Sequence, residues 1–440
     1  MLLEFKVANY LSFKDSNCLS MIASPSSTST KEQSDAVIVK GKSRILSSAA
    51  IYGANASGKS NLFAAIRFMK KLIFNSARES QIGEKIDVKS FRLNSDCDEE
   101  PSTFEVTFLV SEAEYKNEKT DIIFRYGFKV DRDKIHAEWL FGSFTAQESK
   151  LFTRVEDEIS IGEKFAEGKK VYKAIGKIRE TTLFLSLIAS LKGENALITN
   201  HIVSWFKRLQ DISGIGDERI YAITANLMSK NSLKEQIIKA LYLADICIED
   251  IVVEQKPSNI SELSRLAGAD TEKKDVKDIP PFLLKSYHKK YNKNKELIGL
   301  EEFDFDREES DGSKKFFALI GPVLEALKNG LVLVIDEIDA RLHPKLCEVL
   351  ISLFNSKESN HKNAQLIFAT HNTLIMNRKM LRRDQIYFIE KDKYGESELY
   401  SLADYKKVRS DASYDKDYLM GKYGAVPCVG DFEAFIAGEV

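Results

Sequence analysis

The sequence predicts an α/β fold in which one parallel-sheet domain is split by a large insertion. Three observations predict it. The first is Gly53-Ala-Asn-Ala-Ser-Gly-Lys-Ser60, which fits the pattern G-x-x-x-x-G-K-S/T without a mismatch. It lies between an apolar run, residues 45–52, and a run that sets Leu62, Ile66, Met69 and Ile73 at helical spacing. The second is Leu331-Val-Leu-Val-Ile335, a continuous apolar strand of the kind buried inside parallel sheets, followed by Asp336-Glu337. The third is another such strand, Gln365-Leu-Ile-Phe-Ala369, followed by Thr370-His371-Asn372. The strand–helix–strand grammar begun before Gly53 thus resumes after Gly330.

The elements follow in order. Residues 2–9 and 16–23 are strand-like around Ser12-Phe13-Lys14-Asp15 and predict a β-hairpin. Residues 24–30 are rich in Ser and Thr and read as a surface loop, and the first helix runs to about Glu79. Strand patterns recur at Phe104-Glu-Val-Thr-Phe-Leu-Val110, Ile122-Ile-Phe-Arg-Tyr-Gly-Phe-Lys-Val130 and Trp139-Leu-Phe-Gly-Ser-Phe144. From 182 to 251 the spacing turns helical, first with Leu183, Leu187 and Leu191, then with Ile237, Leu241 and Ala244. Residues 255–280 are polar, with Pro257, Pro280 and Pro281 in or beside them, and predict an exposed connection. A strand-like tract covers 282–305, a helix covers 314–328 with Pro322 as a potential kink, and a further helix covers 344–354. Residues 1–80 and 300–440 are therefore the two halves of the split domain. Residues 81–180 form a β-rich part of the insertion, and 181–299 form a helical part and connector. No internal repeat is present.

Composition narrows the class. The chain has 440 residues, 43% hydrophobic and 30% charged, as a globular core requires. No stretch reaches the roughly 18 apolar residues of a membrane span. Glu4 and Lys6 interrupt the N-terminal apolar run, unlike a signal peptide. Five scattered cysteines without a C-x-x-C pair predict free thiols in a reducing cytoplasm and argue against zinc. A net charge of −2 provides no global field for nucleic acid, so any such contact needs a local patch.

The chemistry concentrates at three strand ends and one helix start. Backbone N–H groups of the 53–60 loop and the positive end of the following helix suit phosphate oxygens. Lys59 neutralises the β- and γ-phosphates there and Ser60 ligates Mg²⁺, so ATP and Mg²⁺ are the expected cofactors. Asp336 at the exit of its strand holds Mg²⁺, through water or with Ser60, and Glu337 polarises the attacking water. An acid pair there also suits a helix cap. Ser310-Asp311-Gly312-Ser313 before a helix offers a hydroxyl, bare N–H groups and a dipole to an anion, or serves as a plain capping turn. His371 at a strand end senses a γ-phosphate or fixes a water, or is a satisfied structural histidine. The basic run 285–295 is either a nucleic-acid contact or, with more weight, a solvated strand pair facing the acidic tract 301–311. Trp205-Phe206-Lys207-Arg208 is either a partner patch or, more commonly for such aromatics, core.

The long separation of Ser60 from Asp336, with the Ser310 cluster between, resembles the ABC-type ATPase heads of the SMC, RecF and OLD families. Asn55 and Asn61 in Gly53-x-Asn55-x-Ser57-Gly58-Lys59-Ser60-Asn61 are typical of that group. Asp336-Glu337-Ile-Asp339-Ala-Arg-Leu342-His343-Pro344 looks like its Walker B and D-loop, and departs from transporter subunits after the Glu and at Leu342-His343. Asn9-Tyr-Leu-Ser12-Phe13, Ile51 to Asn61, Glu309-Ser-Asp-Gly-Ser-Lys314, Leu381-Arg-Arg-Asp-Gln-Ile386 and Tyr418-Leu-Met-Gly-Lys-Tyr-Gly-Ala-Val-Pro427 occur together. In this they resemble the stand-alone abortive-infection ATPases of the AbiLi/RloA kind, over nearly the whole chain.

The resemblance implies an ABC-type P-loop ATPase head that hydrolyses ATP. It implies nucleotide contacts at Gly53, Asn55, Ser57, Gly58, Lys59, Ser60 and Asn61, with Ser310 and Gly312 reaching the γ-phosphate held by an opposing subunit. Metal ligation falls to Ser60 and Asp336, and catalysis to Glu337, His371 and Lys59. A homodimer or higher homo-oligomer, a separate effector such as an RloB- or Toprim-type nuclease, a phage-derived trigger and an anti-phage role follow from the same likeness. Four departures stand out. Leu11 replaces the Arg of SMC-like heads, and Ala56 replaces a common Gly. Ser190 stands near where a Q-loop glutamine is expected, and no Toprim acidic cluster follows His371. The alternative is a RecF- or SMC-like DNA-repair ATPase, although 182–251 is too short and interrupted for a tethering hairpin. A small-molecule kinase is disfavoured by His371 and the Ser310 cluster.

Overall fold

The computed structural model describes residues 1–25, 34–77, 85–115, 118–145, 147–191, 196–213, 217–230, 233–255, 282–405, 412–427, 430 and 436. Most of the loop expected over 24–30, all but the first residue of the connection expected over 255–280, and Cys428 lie outside them. The chain divides into two compact units. The first holds Met1–Ser213, Gly330–Ile338 and Ile351–Val440, and the second holds Gly214–Asn329 and Asp339–Leu350.

In the first unit the expected hairpin forms from β1 (Leu2–Ala8) and β2 (Asn17–Ser20), paired antiparallel. β3 (Val37–Lys40) and β4 (Ser43–Leu46) make a separate ribbon, and β5 (Ser48–Tyr52) is wholly buried. The single strand expected over 45–52 is thus two. The chain breaks at Ser47, where the hydroxyls of Ser47 and Ser48 both donate to Asn355 Oδ1 at 2.8 Å. Helix α1 (Lys59–Asn75) buries Leu62, Phe63, Ile66, Met69 and Ile73, one face at the predicted spacing, and ends before the expected Glu79. After the one-turn α2 (Asp96–Glu99) come β6 (Ser102–Tyr115), β7 (Glu118–Val130), β8 (Ile135–Ser143), β9 (Ser149–Val155) and β10 (Glu158–Ile161). They join the N-terminal hairpin in one antiparallel sheet of order β10-β9-β8-β7-β6-β1-β2. Alternation drives it: Phe104, Val106 and Phe108 on β6 and Phe124, Tyr126 and Phe128 on β7 all point into the core. Helices α3 (Ala166–Ile175), α4 (Phe184–Ser190) and α5 (Leu197–Arg208) follow. Trp205 stacks on Phe108 with ring centroids 4.0 Å apart and Phe206 is buried beside it, so this aromatic pair is core. The helical spacing of 182–251 is interrupted by β11 (Leu209–Asp211), a strand that three-residue periodicity cannot announce.

The second unit contains α6 (Asp217–Ser229), α7 (Lys234–Leu243), β12 (Asp250–Gln255), β13 (Phe282–Tyr291), β14 (Leu297–Asp304), the short α8 (Phe305–Glu308) and α9 (Asp311–Asn329). The three strands form an antiparallel sheet of order β12-β13-β14. Its basic run is matched internally. Lys285 pairs with Glu254 at 3.3 Å and Glu302 at 3.2 Å, Lys289 with Glu249 at 2.8 Å, His288 with Glu309 at 2.6 Å, and Lys290 with Glu301. The reading as a solvated strand pair therefore holds. Helix α9 starts three residues before the predicted Lys314 and carries Pro322 inside it. Gly321 is required there because a Cβ would meet the side chain of Thr224 on α6, whose hydroxyl donates to Ala318 O at 3.0 Å.

The remaining elements complete the first unit: β15 (Val332–Ile335), the C-terminal end of α10 (Pro344–Asn355), β16 (Gln365–Ala369), β17 (Ile386–Lys391), β18 (Ser397–Ser401) and α11 (Tyr414–Leu419). The sheet order is β11-β15-β16-β5-β17-β18, parallel from β11 to β17 with β18 antiparallel at the edge. β5 thus lies beside β16 and β17 although hundreds of residues separate them. This split α/β layout, a parallel sheet with an antiparallel sheet grown from its N-terminal hairpin, is the fold class the sequence implies.

Candidate functional site

The 53–58 loop leaves the C-terminal end of β5 and enters α1 at Lys59. Two glycines are needed for contact reasons. Gly58 has φ +118°, and a Cβ on it would stand 2.5 Å from Ser397 Oγ and 2.8 Å from Ser12 Oγ. A Cβ on Gly53 would run into the carbonyl oxygen of Ile389 and stand 2.6 Å from Ser57 Oγ. Neighbours hold the loop in place. Ser397 Oγ donates to Ser57 O at 2.5 Å, Asn61 Nδ2 donates to Ser12 Oγ at 2.8 Å, and Ser397 N donates to Ser12 O at 2.7 Å. Lys14 and Glu396 form an ion pair at 2.6 Å just outside. Ser12 and Ser397 are thus positioning residues for the loop. Ser12 belongs to the Asn9–Phe13 motif of the sequence, whereas Ser397 carries no sequence signal because only the pairing of β17 with β18 brings it there.

Lys59 is 7% exposed, and its Nζ donates to the carbonyls of Gly53 at 2.8 Å and Ala54 at 2.9 Å. Its ammonium is thus threaded back under the loop. Asn55 and Ser60 are exposed, Asn61 is half-buried, and the first turn of α1 contains no acid to oppose its N-terminal dipole.

The other strand ends step alongside. Thr370 N donates to Ile51 O at 3.1 Å, and Ile338 N donates to Ala369 O at 3.1 Å. Gly53, Thr370-His371 and Asp336-Glu337 therefore leave the same, carboxyl edge of adjacent parallel strands β5, β16 and β15, where open α/β sheets bind ligands. Glu337 is exposed, with φ +50°, a strained setting that turns the chain sharply after Asp336. His371 is exposed, and the next carbonyl, Asn372 O, accepts from Tyr52 Oη at 3.3 Å. Asp336 Oδ1 and Ser57 Oγ are buried without a hydrogen-bond partner among the described residues. A carboxylate oxygen of that kind, with the hydroxyl of Ser60 on the neighbouring helix start, suits a hard cation that keeps waters and phosphate oxygens as its other ligands. Among the described residues no cluster of three or more His, Cys, Asp or Glu side chains suggests a different metal centre. Burial pushes the Cys18 thiol up to about 11 and the Cys347 thiol up to about 12, so neither is a poised nucleophile.

Ser310 and Gly312 lie in the second unit, at the start of α9. Ser310 Oγ accepts from Ser313 N at 3.1 Å, as a capping residue does, and Ser310 O accepts from Lys314 N at 3.0 Å. Within the same unit this turn meets the segment that follows Asp336-Glu337. Arg341 Nη1 is 4.0 Å from Asp311 Oδ2, and a Cβ on Gly312 would be 3.3 Å from Arg341 O.

Residues 48–377, from the start of β5 to just past His371, match the family described as "AAA domain, putative AbiEii toxin, Type IV TA system". The chain belongs to that family. Membership of this AAA-domain family agrees with the phosphate loop, the acidic strand end and the histidine strand end on one sheet edge. No curated protein matches the chain. Among solved structures, one titled "Crystal structure of the SmcHead bound to the C-winged helix domain of ScpA" aligns at 12% identity over 91% of this chain and 97% of that chain, with a TM-score of 0.35, a likeness too loose to argue from. No helix among the described residues is long and apolar enough to cross a membrane.

Proposed function

We propose that the chain is an ATP-hydrolysing switch of an abortive-infection system, which controls a separate effector through ATP-dependent pairing of two heads. The observation that carries the ATPase part is the buried, unpartnered Asp336 Oδ1 on the same sheet edge as the glycine-bound loop of Lys59. Bound ATP and Mg²⁺ supply the phosphoryl group and its counter-charge. Loop N–H groups from Gly53 to Asn61 receive phosphate oxygens, and Lys59 exchanges its loop carbonyls for them. Ser60 and Asp336 are the protein's oxygens for the cation. Glu337 Oε accepts the proton of the attacking water, and His371 orients that water or reads the γ-phosphate. The family description, which names a putative AbiEii toxin and a type IV TA system, supports a setting of the toxin–antitoxin kind, and the abortive-infection role rests on the sequence resemblance. The effector, of nuclease class, and a phage-derived trigger rest on the sequence resemblance alone, and the cytoplasmic setting rests on the scattered cysteines.

The test combines Glu337→Gln with affinity purification of the tagged chain. The variant is expected to hold ATP, hydrolyse it slowly and enrich a second, co-purifying protein in nucleotide-dependent fashion. Wild-type hydrolysis by this variant removes Glu337 from its role. Co-purification of DNA alone, with ATPase activity stimulated by DNA, would favour the repair-type reading instead.

A further inference from the structure

Strand β13 gives its two faces to different partners. Lys285 and Lys289 on one face pair with Glu254, Glu302 and Glu249. Ser286 and His288, on the other face, meet a single carboxylate that directly precedes the Ser310 turn. Glu309 Oε1 accepts from Ser286 Oγ at 2.5 Å and lies 2.6 Å from His288 Nε2. This carboxylate differs from the other acids paired with β13. Its side chain is 8% exposed, against 29% to 48% for Glu249, Glu254, Glu301 and Glu302, and Ser286 is fully buried. The short link from β14 to α9 is also held nearby. Asp304 Oδ1 accepts from Asp306 N at 3.0 Å and Arg307 N at 3.2 Å, and Lys314 Nζ donates to Asp306 O at 2.6 Å. Glu309 itself is extended, with φ −78° and ψ 151°. Successive side chains of an extended chain point to opposite sides. With Glu309 drawn onto β13, Ser310 faces outward, and it is exposed.

We propose that Glu309 is a positioning residue for Ser310, and that Ser286 and His288 of β13 fix the Ser310 turn through it. The proposal rests on the reading of Ser310 as the group that reaches the γ-phosphate of the opposing head. The bond from Ser313 N to Ser310 Oγ lies inside the turn, so it shapes the turn without anchoring it to the rest of the unit. The contact of Asp311 with Arg341, at 4.0 Å between two exposed side chains, is a weak anchor. Glu309 supplies a stronger one, because a buried carboxylate receives two directed contacts from one strand. A hydroxyl that must meet a phosphate on another subunit needs such outside support. A misplacement of about 1 Å can cost on the order of 10²-fold in rate. The lysine pairs on the opposite face of β13 do not touch the turn.

Complementation between full chains tests it. Glu309→Ala is expected to lower ATP turnover about 10- to 100-fold. Glu309→Gln keeps an acceptor oxygen for both donors and is expected to recover most of that loss. Lys285→Ala, on the other face of the same strand, is expected to leave turnover unchanged. Mixed with Lys59→Ala, the Glu309→Ala chain is expected to regain activity, because one composite site then joins its intact loop to an intact Ser310 turn. Mixed with Ser310→Arg it is expected to regain none, since both chains lack the same contribution. Ser286→Ala, a milder lesion of the same anchor, is expected to show the same pattern of rescue with an unchanged thermal melt. Wild-type turnover by Glu309→Ala, a loss that Lys59→Ala does not rescue, or equal rescue by Ser310→Arg would each overturn the proposal. Lys59→Ala mixed with Ser310→Arg is the reference pair. If the reference pair stays inactive, the shared site itself fails, and the proposal with it. If the reference pair recovers while Glu309→Ala with Lys59→Ala does not, the role of Glu309 alone fails.

Discussion

Lys59 and Glu337 are the two residues whose roles can be separated by a single atom type. Lys59 is the cation threaded through the loop, with two carbonyl partners already in place. Charged hydrogen bonds contribute about 1.5–3 kcal/mol each, so Lys59→Ala is expected to weaken ATP binding by roughly 10- to 150-fold. Titration calorimetry with ATP and Mg²⁺ checks this, and undiminished affinity contradicts the site. Glu337 faces solvent at a sheet edge, in a backbone conformation that directs the chain away after Asp336. Glu337→Gln preserves shape but cannot accept a proton. The expected result is retained binding with turnover lowered about 10²–10⁴-fold, read in a single-turnover phosphate-release assay.

At the level of elements, the phosphate loop is a packed object rather than a free turn. Gly58 is caught between Ser12 of the N-terminal turn and Ser397 of β18. Gly58→Ala combines an unfavourable φ with that contact, and strained settings of this kind cost about 1–3 kcal/mol. Gly41, in the β3–β4 turn, has φ +56° and open space around it, so Gly41→Ala carries the dihedral cost alone. Thermal melts of the two variants are expected to differ, with ATP binding lost only in the first. The antiparallel sheet that supports this loop has its own pH dependence. Burial pushes the Glu105 carboxyl up, but hydrogen bonds from Trp139, Arg125 and Lys6 outweigh it and hold the carboxyl below its ordinary 4.5. A carboxyl held low in the folded state favours folding above about pH 4.5, and that contribution is lost as pH falls through the depressed value. Glu105→Gln is therefore expected to be less stable than the unmodified chain in urea at pH 7, with the gap narrowing below pH 4.5.

For the whole molecule, the division into units sorts the chemistry. The 53–60 loop, Asp336, Glu337 and His371 belong to the first unit, and Ser310, Gly312 and Arg341 to the second. If Ser310 serves the opposing head, neither of two complementary defects is fatal in a mixed dimer. Lys59→Ala and Ser310→Arg chains, each inactive alone, are expected to regain partial ATPase activity on mixing, because one composite site then has an intact loop and an intact Ser310. Full activity of Ser310→Arg by itself would show that the turn acts only as the helix cap it also forms.

The sequence by itself determined the local pieces. The glycine pattern before a helical run fixed the loop, and uninterrupted apolar runs fixed β15 and β16 with the acids and histidine at their ends. Alternating aromatics fixed β6 to β8, and the mixed charges of 285–311 favoured a solvated strand pair, whose lysines the fold matches with acids of β14 and also with acids in or beside β12. These follow from periodicity and chemistry within a few residues, which a chain carries openly. Tertiary structure alone decided the rest. It broke the 45–52 run at Ser47 because Asn355 offers a buried acceptor there. It drew β11 out of a helical tract to extend the parallel sheet, and it grew the β-rich tract onto β1. It also brought Ser397 to Gly58 and left the apolar edge of β14 exposed. Each of these depends on a partner far away in the chain, and a hydrogen bond or contact made across such a distance leaves no pattern in the residues on either side.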